Sequence, residues 1–351
     1  MKRALGIVLV LVVTAAGVIA YRIVTRSGML KEIVPHASGV CHGVGGVVGA
    51  EDVTIDGDRM VAYLSADDRR ATAAGRSRRG EIYALDLRRH DALPVPLTRG
   101  VPADLHPHGL SLWHGPNGHR RLFVINHPGA GGHVVEIYDT TADGLTHAES
   151  VRYPDLASPN DLVAVGPRQF YATNDRRYRE PGLMATLEAY LQLPLSSVSY
   201  FDGSTGRIAV DGLVFANGIN ASADGRTVYV AAFLEQTIHV YDRNPATGQL
   251  TQRDVIEIGS CPDNIEVDRV GMLWVAAHAK VFDLVAHSTD PTRTAPSQVL
   301  RVDPRTGAMR EVYLDSGTTL SAASTAAVAG DVMLLGAIFE PKVLVCDRPP
   351  A

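Results

Sequence analysis

The sequence contains no G-x-S-x-G elbow and no H-E-x-x-H run, so it offers neither the nucleophile turn of a serine hydrolase nor the metal-binding helix of a zinc peptidase. Aromatic residues are sparse at 6%, and the formal net charge is only −5, which gives no long-range field for nucleic acid. The densest basic cluster is Arg69, Arg70, Arg76, Arg78 and Arg79. No aromatic residue is interleaved there to stack on bases, and the stretch reads as a solvated loop. Cysteine is scarce as well, with three in 351 residues. In an oxidising compartment three cysteines favour one bridge and one free thiol. Pairing Cys41 with Cys346 would fasten the last strand to the first, leaving Cys261 as a small buried hydrophobe.

What is present begins with a targeting segment. Lys2 and Arg3 precede an apolar run from Ala4 to Ala20, followed by Tyr21, Arg22 and Arg26. The run is long for a signal-peptide core and at the short limit for a membrane span, and Val18 with Ala20 suits a cleavage site. Residues 1–20 are therefore expected to be a signal peptide or an N-terminal membrane anchor. Residues 21–351 are expected to form one exported domain, periplasmic, secreted or anchored facing outside, with membrane association through the leader. A chain that is 46% hydrophobic can bury a core of that size.

Short runs ending in Asp then recur: Glu81 to Leu87, Val134 to Asp139, Val198 to Gly203, Ile238 to Arg243, Val299 to Pro304 and Val343 to Arg348. Six such strand-and-turn units, spaced by roughly 40 to 65 residues, match one blade each of a six-bladed β-propeller. The fold class expected is all-β, with small helical insertions. One of these is a helix over Leu183, Met184, Leu187, Tyr190 and Leu191, with Glu188 and Gln192 on its opposite side and Pro194 as its stop.

Acid and amide clusters stand where the β pattern breaks: Glu51-Asp52, Asn160-Asp161, Asn217 and Asp263-Asn264. In a propeller they fall on four blades and converge on the central tunnel. A cage of carboxylate and carboxamide oxygens suits a hard cation, Ca²⁺ above all, whereas Zn²⁺ would want His or Cys.

These motifs carry a resemblance. G-A-E-D at Gly49 to Asp52, H-P-H-G-L at His106 to Leu110, V-I-N-H-P at Val124 to Pro128 and P-N-D-L-V-A-V-G-P at Pro159 to Pro167 resemble the paraoxonase/arylesterase family of calcium-dependent lactonases. F-A-N-G-I-N at Phe215 to Asn220, D-N-I-E-V-D at Asp263 to Asp268 and L-W-V-A-A-H at Leu273 to His278 continue it in the same order. The resemblance implies a catalytic Ca²⁺ held by Glu51, Asn160, Asn217, Asp263 and Asn264. It implies a second, structural Ca²⁺ on Asp52, Asp161 and the backbone carbonyl of Leu110, and a closing Cys41–Cys346 disulfide. Each ion would then meet two carboxylates, and alternation along the strand would let Glu51 and Asp52 serve different ions.

The implied chemistry is opening of lactones, with side activity on aryl esters and organophosphate triesters. Ca²⁺ would polarise the carbonyl, and His108 would act as base with His127 orienting it; Asp263 and Glu51 are rival bases. His278 takes a supporting role. The apolar residues of the 183–191 helix suggest a substrate with an apolar tail. Two alternatives are a sugar lactonase of gluconolactonase type, which predicts a polar pocket, and a non-catalytic calcium-stabilised propeller, which has no need of the His108/His127 pair.

Overall fold

A computed structural model describes residues 2–99, 101–141, 144–180 and 182–350. Met1 and Ala351, the outer ends of the expected leader and hydrolase spans, lie outside the described residues. Six antiparallel sheets form the six blades expected, each counted from its innermost strand outwards. The innermost strands are Ala50–Asp56, Pro107–His114, Pro159–Ala164, Ala216–Ala221, Cys261–Val267 and Ala323–Ala329. Each packs against the next, and the last packs against the first, which closes the ring.

The six Asp-ended runs all occupy the same place: Glu81–Asp86, Val134–Thr141, Ser196–Phe201, Thr237–Arg243, Ser297–Val302 and Lys342–Asp347 are the third strands of their blades. Their regularity reflects sheets buried between neighbours. The seam between blades 1 and 6, for instance, is filled by Val53, Leu64 and Leu85 against Leu334 and Val343. Each such side chain, fully buried, contributes about 1.5–3 kcal/mol.

Blade 6 is assembled from both ends of the chain. Its outermost strand is Cys41–Gly45, paired in register with Lys342–Asp347 so that Cys41 faces Cys346. The two cysteines are joined by a disulfide, while Cys261 is buried and free.

The N-terminal apolar run is a helix, Lys2–Arg26. It meets the propeller at its end, where Arg26 Nη1 donates to Gln192 Oε1 at 3.3 Å and to Leu234 O at 3.4 Å. Further out, Leu9, Val10 and Leu11 stand 63–64% exposed.

Candidate functional site

Every innermost strand breaks register with its neighbour once. The breaks fall between Ala50 and Asp52, Pro107 and Leu110, Pro159 and Leu162, Ala216 and Ile219, Pro262 and Ile265, and Ala323 and Thr325. These intervals enclose or touch Glu51, His108, Asn160, Asp161, Asn217, Asp263, Asn264 and Ser324. In an unbroken pleat one member of each adjacent pair would turn into the blade. The bulge re-aims it, so that Glu51 reaches Asn264 of blade 5 while Asp52 reaches Leu110 of blade 2. The register break, rather than simple alternation, is therefore what allows Glu51 and Asp52 to act side by side.

Two glycines allow the strands to come this close. A Cβ on Gly109 would lie 2.5 Å from Asp161 Cα, and one on Gly218 would lie 2.3 Å from Asp263 O.

The first group of site residues gathers around Glu51. Its Oε1 accepts from Asn264 Nδ2 at 2.9 Å, and its Oε2 stands 3.5 Å from His108 Nε2 and 3.9 Å from Arg69 Nη2. Burial by itself would raise the Glu51 pKa, but His108, Arg69 and Asn264 together hold it below the usual range. Asp263 Oδ2 is 2.7 Å from His278 Nε2, and burial still pushes that carboxyl upward. Ser324 Oγ donates to Glu51 O at 2.5 Å, bringing in blade 6. Four enclosed oxygens, Glu51 Oε2, Asn160 Oδ1, Asn217 Oδ1 and Asn264 Oδ1, have no hydrogen-bond partner. Among the described residues no three His, Cys, Asp or Glu side chains gather to hold a metal. Three of the five donors expected for the catalytic ion are asparagines, which is the chemistry of a hard-cation cage.

Asp52 and Asp161 form a second, equally buried group. Asp52 accepts from Leu110 N and Val53 N, each at 2.8 Å, and Asp161 accepts from Ile219 N and Leu162 N, each at 2.7 Å. Leu110 is thus brought to Asp52, through its N–H. Burial, with the charge of Glu51 added, pushes Asp52 up to about 7. Burial and the charge of Asp52 carry Asp161 well above the ordinary carboxyl range. Two enclosed carboxyl groups with no cationic side chain between them are costly to ionise.

His108 Nδ1 lies 2.9 Å from His127 Nε2, which joins the expected pair. The chain of rings continues: His127 Nδ1 is 2.6 Å from His133 Nδ1. His133 follows a glycine-rich turn and belongs to no motif, so nothing in the sequence marked it. Arg69 was expected in a solvated loop. Instead it turns inwards, with Nη1 donating to Gly49 O at 3.1 Å and Nη2 to Pro107 O at 3.2 Å.

These rings border a cavity of about 590 Å³, also lined by Arg69, Arg176 and Arg179. No Phe, Tyr, Trp, Leu, Ile, Val or Met is among the described residues lining it. The helix Leu183–Tyr190 buries the opposite face from the one expected. Leu183 and Met184 are exposed, whereas Glu188 is buried and accepts from Arg177 N and Tyr178 N at 2.8 and 2.9 Å.

Comparison with known proteins bears on the family and the fold. The family described as Arylesterase matches residues 71–348. Serum paraoxonase/arylesterase 1 of Homo sapiens is 33% identical over 341 residues, covering 92% of this chain and 93% of that protein. Serum paraoxonase/arylesterase 2 of Homo sapiens is 31% identical over 327 residues, covering 90% and 89%. Among solved structures, a luciferin-regenerating enzyme aligns with a TM-score of 0.54 at 13% identity, over 88% of this chain and 95% of that one. A calcium-binding regucalcin from Agrobacterium tumefaciens aligns with a TM-score of 0.50 at 15% identity, over 89% and 93%. Those two likenesses show the propeller fold alone. The near-full-length identity to the serum enzymes goes further: the chain belongs to the paraoxonase/arylesterase family and is a carboxylic-ester hydrolase.

Proposed function

We propose that the protein is an exported, calcium-dependent lactonase with promiscuous aryl-ester hydrolysis. The observation that carries this reading is the set of four enclosed, unpartnered oxygens on Glu51, Asn160, Asn217 and Asn264, supplied by four blades. Unpaired buried acceptors are costly unless something binds them, and an all-oxygen donor set fits Ca²⁺. With Asp263 these residues would hold the catalytic ion. Asp52, Asp161 and the Leu110 carbonyl would hold a structural one, relieving the strained acid pair. When bound, Ca²⁺ supplies polarisation of the ester carbonyl and stabilises the negative charge that develops on its oxygen.

The chain's own residues do the rest. Asn264 and Ser324 fix Glu51 from two sides, and His278 orients Asp263. Water is activated by the His108/His127 pair or by one of the carboxylates Glu51 and Asp263, all of which adjoin the cluster. Residues 1–20 serve as leader or anchor and residues 21–351 as the hydrolase. The disulfide supports an oxidising destination.

A second reading concerns the substrate. The cavity sets charged side chains such as Arg69, Asp175, Arg176 and Arg179, which would suit a sugar lactone, among mostly apolar exposed surface, which would suit an apolar-tailed ester, so both belong in the test.

The test is hydrolysis of a panel of aliphatic lactones, sugar lactones and aryl esters, with calcium and after chelation, beside Asp263→Ala. Calcium-dependent turnover lost in the variant is the expected result. No turnover on any substrate, with calcium still raising Tm, would overturn the hydrolytic reading in favour of a binding propeller.

A further inference from the structure

We propose that His133 is a positioning residue that sets the tautomers of His127 and His108, so that His108 presents an N–H to the Glu51 cluster instead of a lone pair. The inference builds on the hydrolytic reading above and decides between the two water-activating options left open there.

Each contact in the chain joins two ring nitrogens, so one proton serves each: Nδ1 of His133 to Nδ1 of His127 at 2.6 Å, and Nε2 of His127 to Nδ1 of His108 at 2.9 Å. Fixing the proton at one end of the chain fixes it throughout. The outer end is decided by His133 Nε2, which is enclosed and has no hydrogen-bond partner. A buried N–H with no acceptor is rarer in proteins than a buried acceptor with no donor. The His133 proton therefore sits on Nδ1 and is donated to His127. The His127 proton then sits on Nε2 and is donated to His108 Nδ1, and the His108 proton is left on Nε2.

The inner end points independently to the same arrangement. His108 Nε2 stands 3.5 Å from Glu51 Oε2, too far for a formed hydrogen bond but near enough that the carboxylate oxygen favours an N–H over a lone pair on that nitrogen. In the inverted chain two lone pairs would face each other there, and an N–H would be stranded on His133. Burial, with Arg179 nearby, lowers His133 to about 4, and burial holds His127 well below its ordinary value. Both rings are neutral near pH 7, so the position of the proton, and not the charge, is the variable.

For His108 to act as a base, all three tautomers would have to invert. In the arrangement that the geometry favours, His108 Nε2–H is instead a hydrogen-bond donor to the substrate oxygen that gains charge. Water activation then falls to a carboxylate of the cluster.

The test is ¹⁵N NMR of the calcium-loaded, histidine-labelled protein, with resonances assigned from single variants. Expected are protons on Nε2 of His108 and His127 and on Nδ1 of His133. His133→Asp, which can only accept, should move the His127 proton to Nδ1 and lower aryl-ester kcat by about a hundredfold to a thousandfold, the range for losing one such donor. His133→Asn, which can still donate, should keep the wild-type tautomers and turnover within about threefold. A wild-type spectrum with the His133 proton on Nε2, or an Asp variant whose His127 tautomer does not move, would overturn the proposal. If the Asp variant does not fold, the wild-type and Asn spectra decide. Absence of esterase turnover in the wild-type protein counts against the hydrolytic reading, while the spectrum judges the tautomers separately.

Discussion

Asn264 Nδ2 donates to Glu51 Oε1 at 2.9 Å and lies 3.2 Å from Glu51 O, tying the inner strand of blade 5 to that of blade 1 past the intervening blade. An amide whose nitrogen is committed in this way must present its oxygen elsewhere, and that oxygen has no partner. The donor set is thus oriented by contacts within the protein.

Calcium should therefore stabilise the fold as well as support hydrolysis. At about 1,000 times Kd the added stability is ~4 kcal/mol, and chelation should remove it. Asn264→Ala deletes one donor and frees Glu51, so calcium affinity measured by calorimetry should fall by about tenfold or more, taking ~1.4 kcal/mol per tenfold. Unchanged affinity would remove Asn264 from the ligand set.

Gly218→Ala places a Cβ 2.3 Å from Asp263 O. Overpacking of this kind costs ~1–3 kcal/mol, and here the backbone that must give way carries Asp263 and Asn264. A lower denaturant midpoint and weaker calcium binding should appear together. A stable variant with wild-type calcium affinity would show that the strands have room to separate.

His133 gives a pH dependence with a definite sign. Its folded pKa, about 4, lies below its ordinary value of 6.5, so the unfolded chain binds the proton more readily. Stability is lost as pH falls from about 6.5 towards 4 and is level above that window. His133→Asn should flatten that limb in denaturant titrations at stepped pH. An identical slope in the variant would assign the loss to other groups.

Much of this was legible in the chain because propeller geometry repeats. The Asp-ended runs such as Ile238 to Arg243 mark third strands, and Glu51, Asn160, Asn217 and Asp263 stand out because acids and amides are unusual at the start of a buried strand. Other features leave no such mark. A bulge is a relation between two strands, so nothing near Asn217 announces it. His133 follows Gly131 and Gly132 in what reads as an ordinary turn. The 183–190 helix misled because Glu188 looked like a solvent-facing residue, whereas its carboxylate is committed to the backbone of Arg177 and Tyr178.

The Cys41–Cys346 bridge spans a sequence separation of 305. Its loss through Cys41→Ser should cost ~2–5 kcal/mol, read from denaturant midpoints. Burial pushes the Cys261 thiol up to about 12, so it should stay unlabelled by alkylating reagents in the native protein. Rapid labelling of Cys261 under native conditions would show that this region opens.

Removing residues 1–20 should leave the hydrolase folded, because the helix contacts the propeller near Arg26 and Ser27, beyond the cut. Tm within about 2–4 °C of the full chain, a difference under ~1 kcal/mol, and loss of any detergent requirement are expected. A truncated protein that aggregates would make the helix part of the fold.

The blade built from both chain ends also governs when the enzyme comes into being. During synthesis Cys41–Gly45 emerges early and must wait, without a sheet to join, until Lys342–Asp347 leaves the ribosome. Glu51 waits in the same way for Asn264. No nascent fragment that lacks Lys342–Asp347 can close the ring, even though every residue of the oxygen cage has been made once Asn264 is added. A chain cut short by its final strand would leave Cys41–Gly45 as an open edge for a second molecule to pair with, turning a premature stop codon into a seed for aggregation.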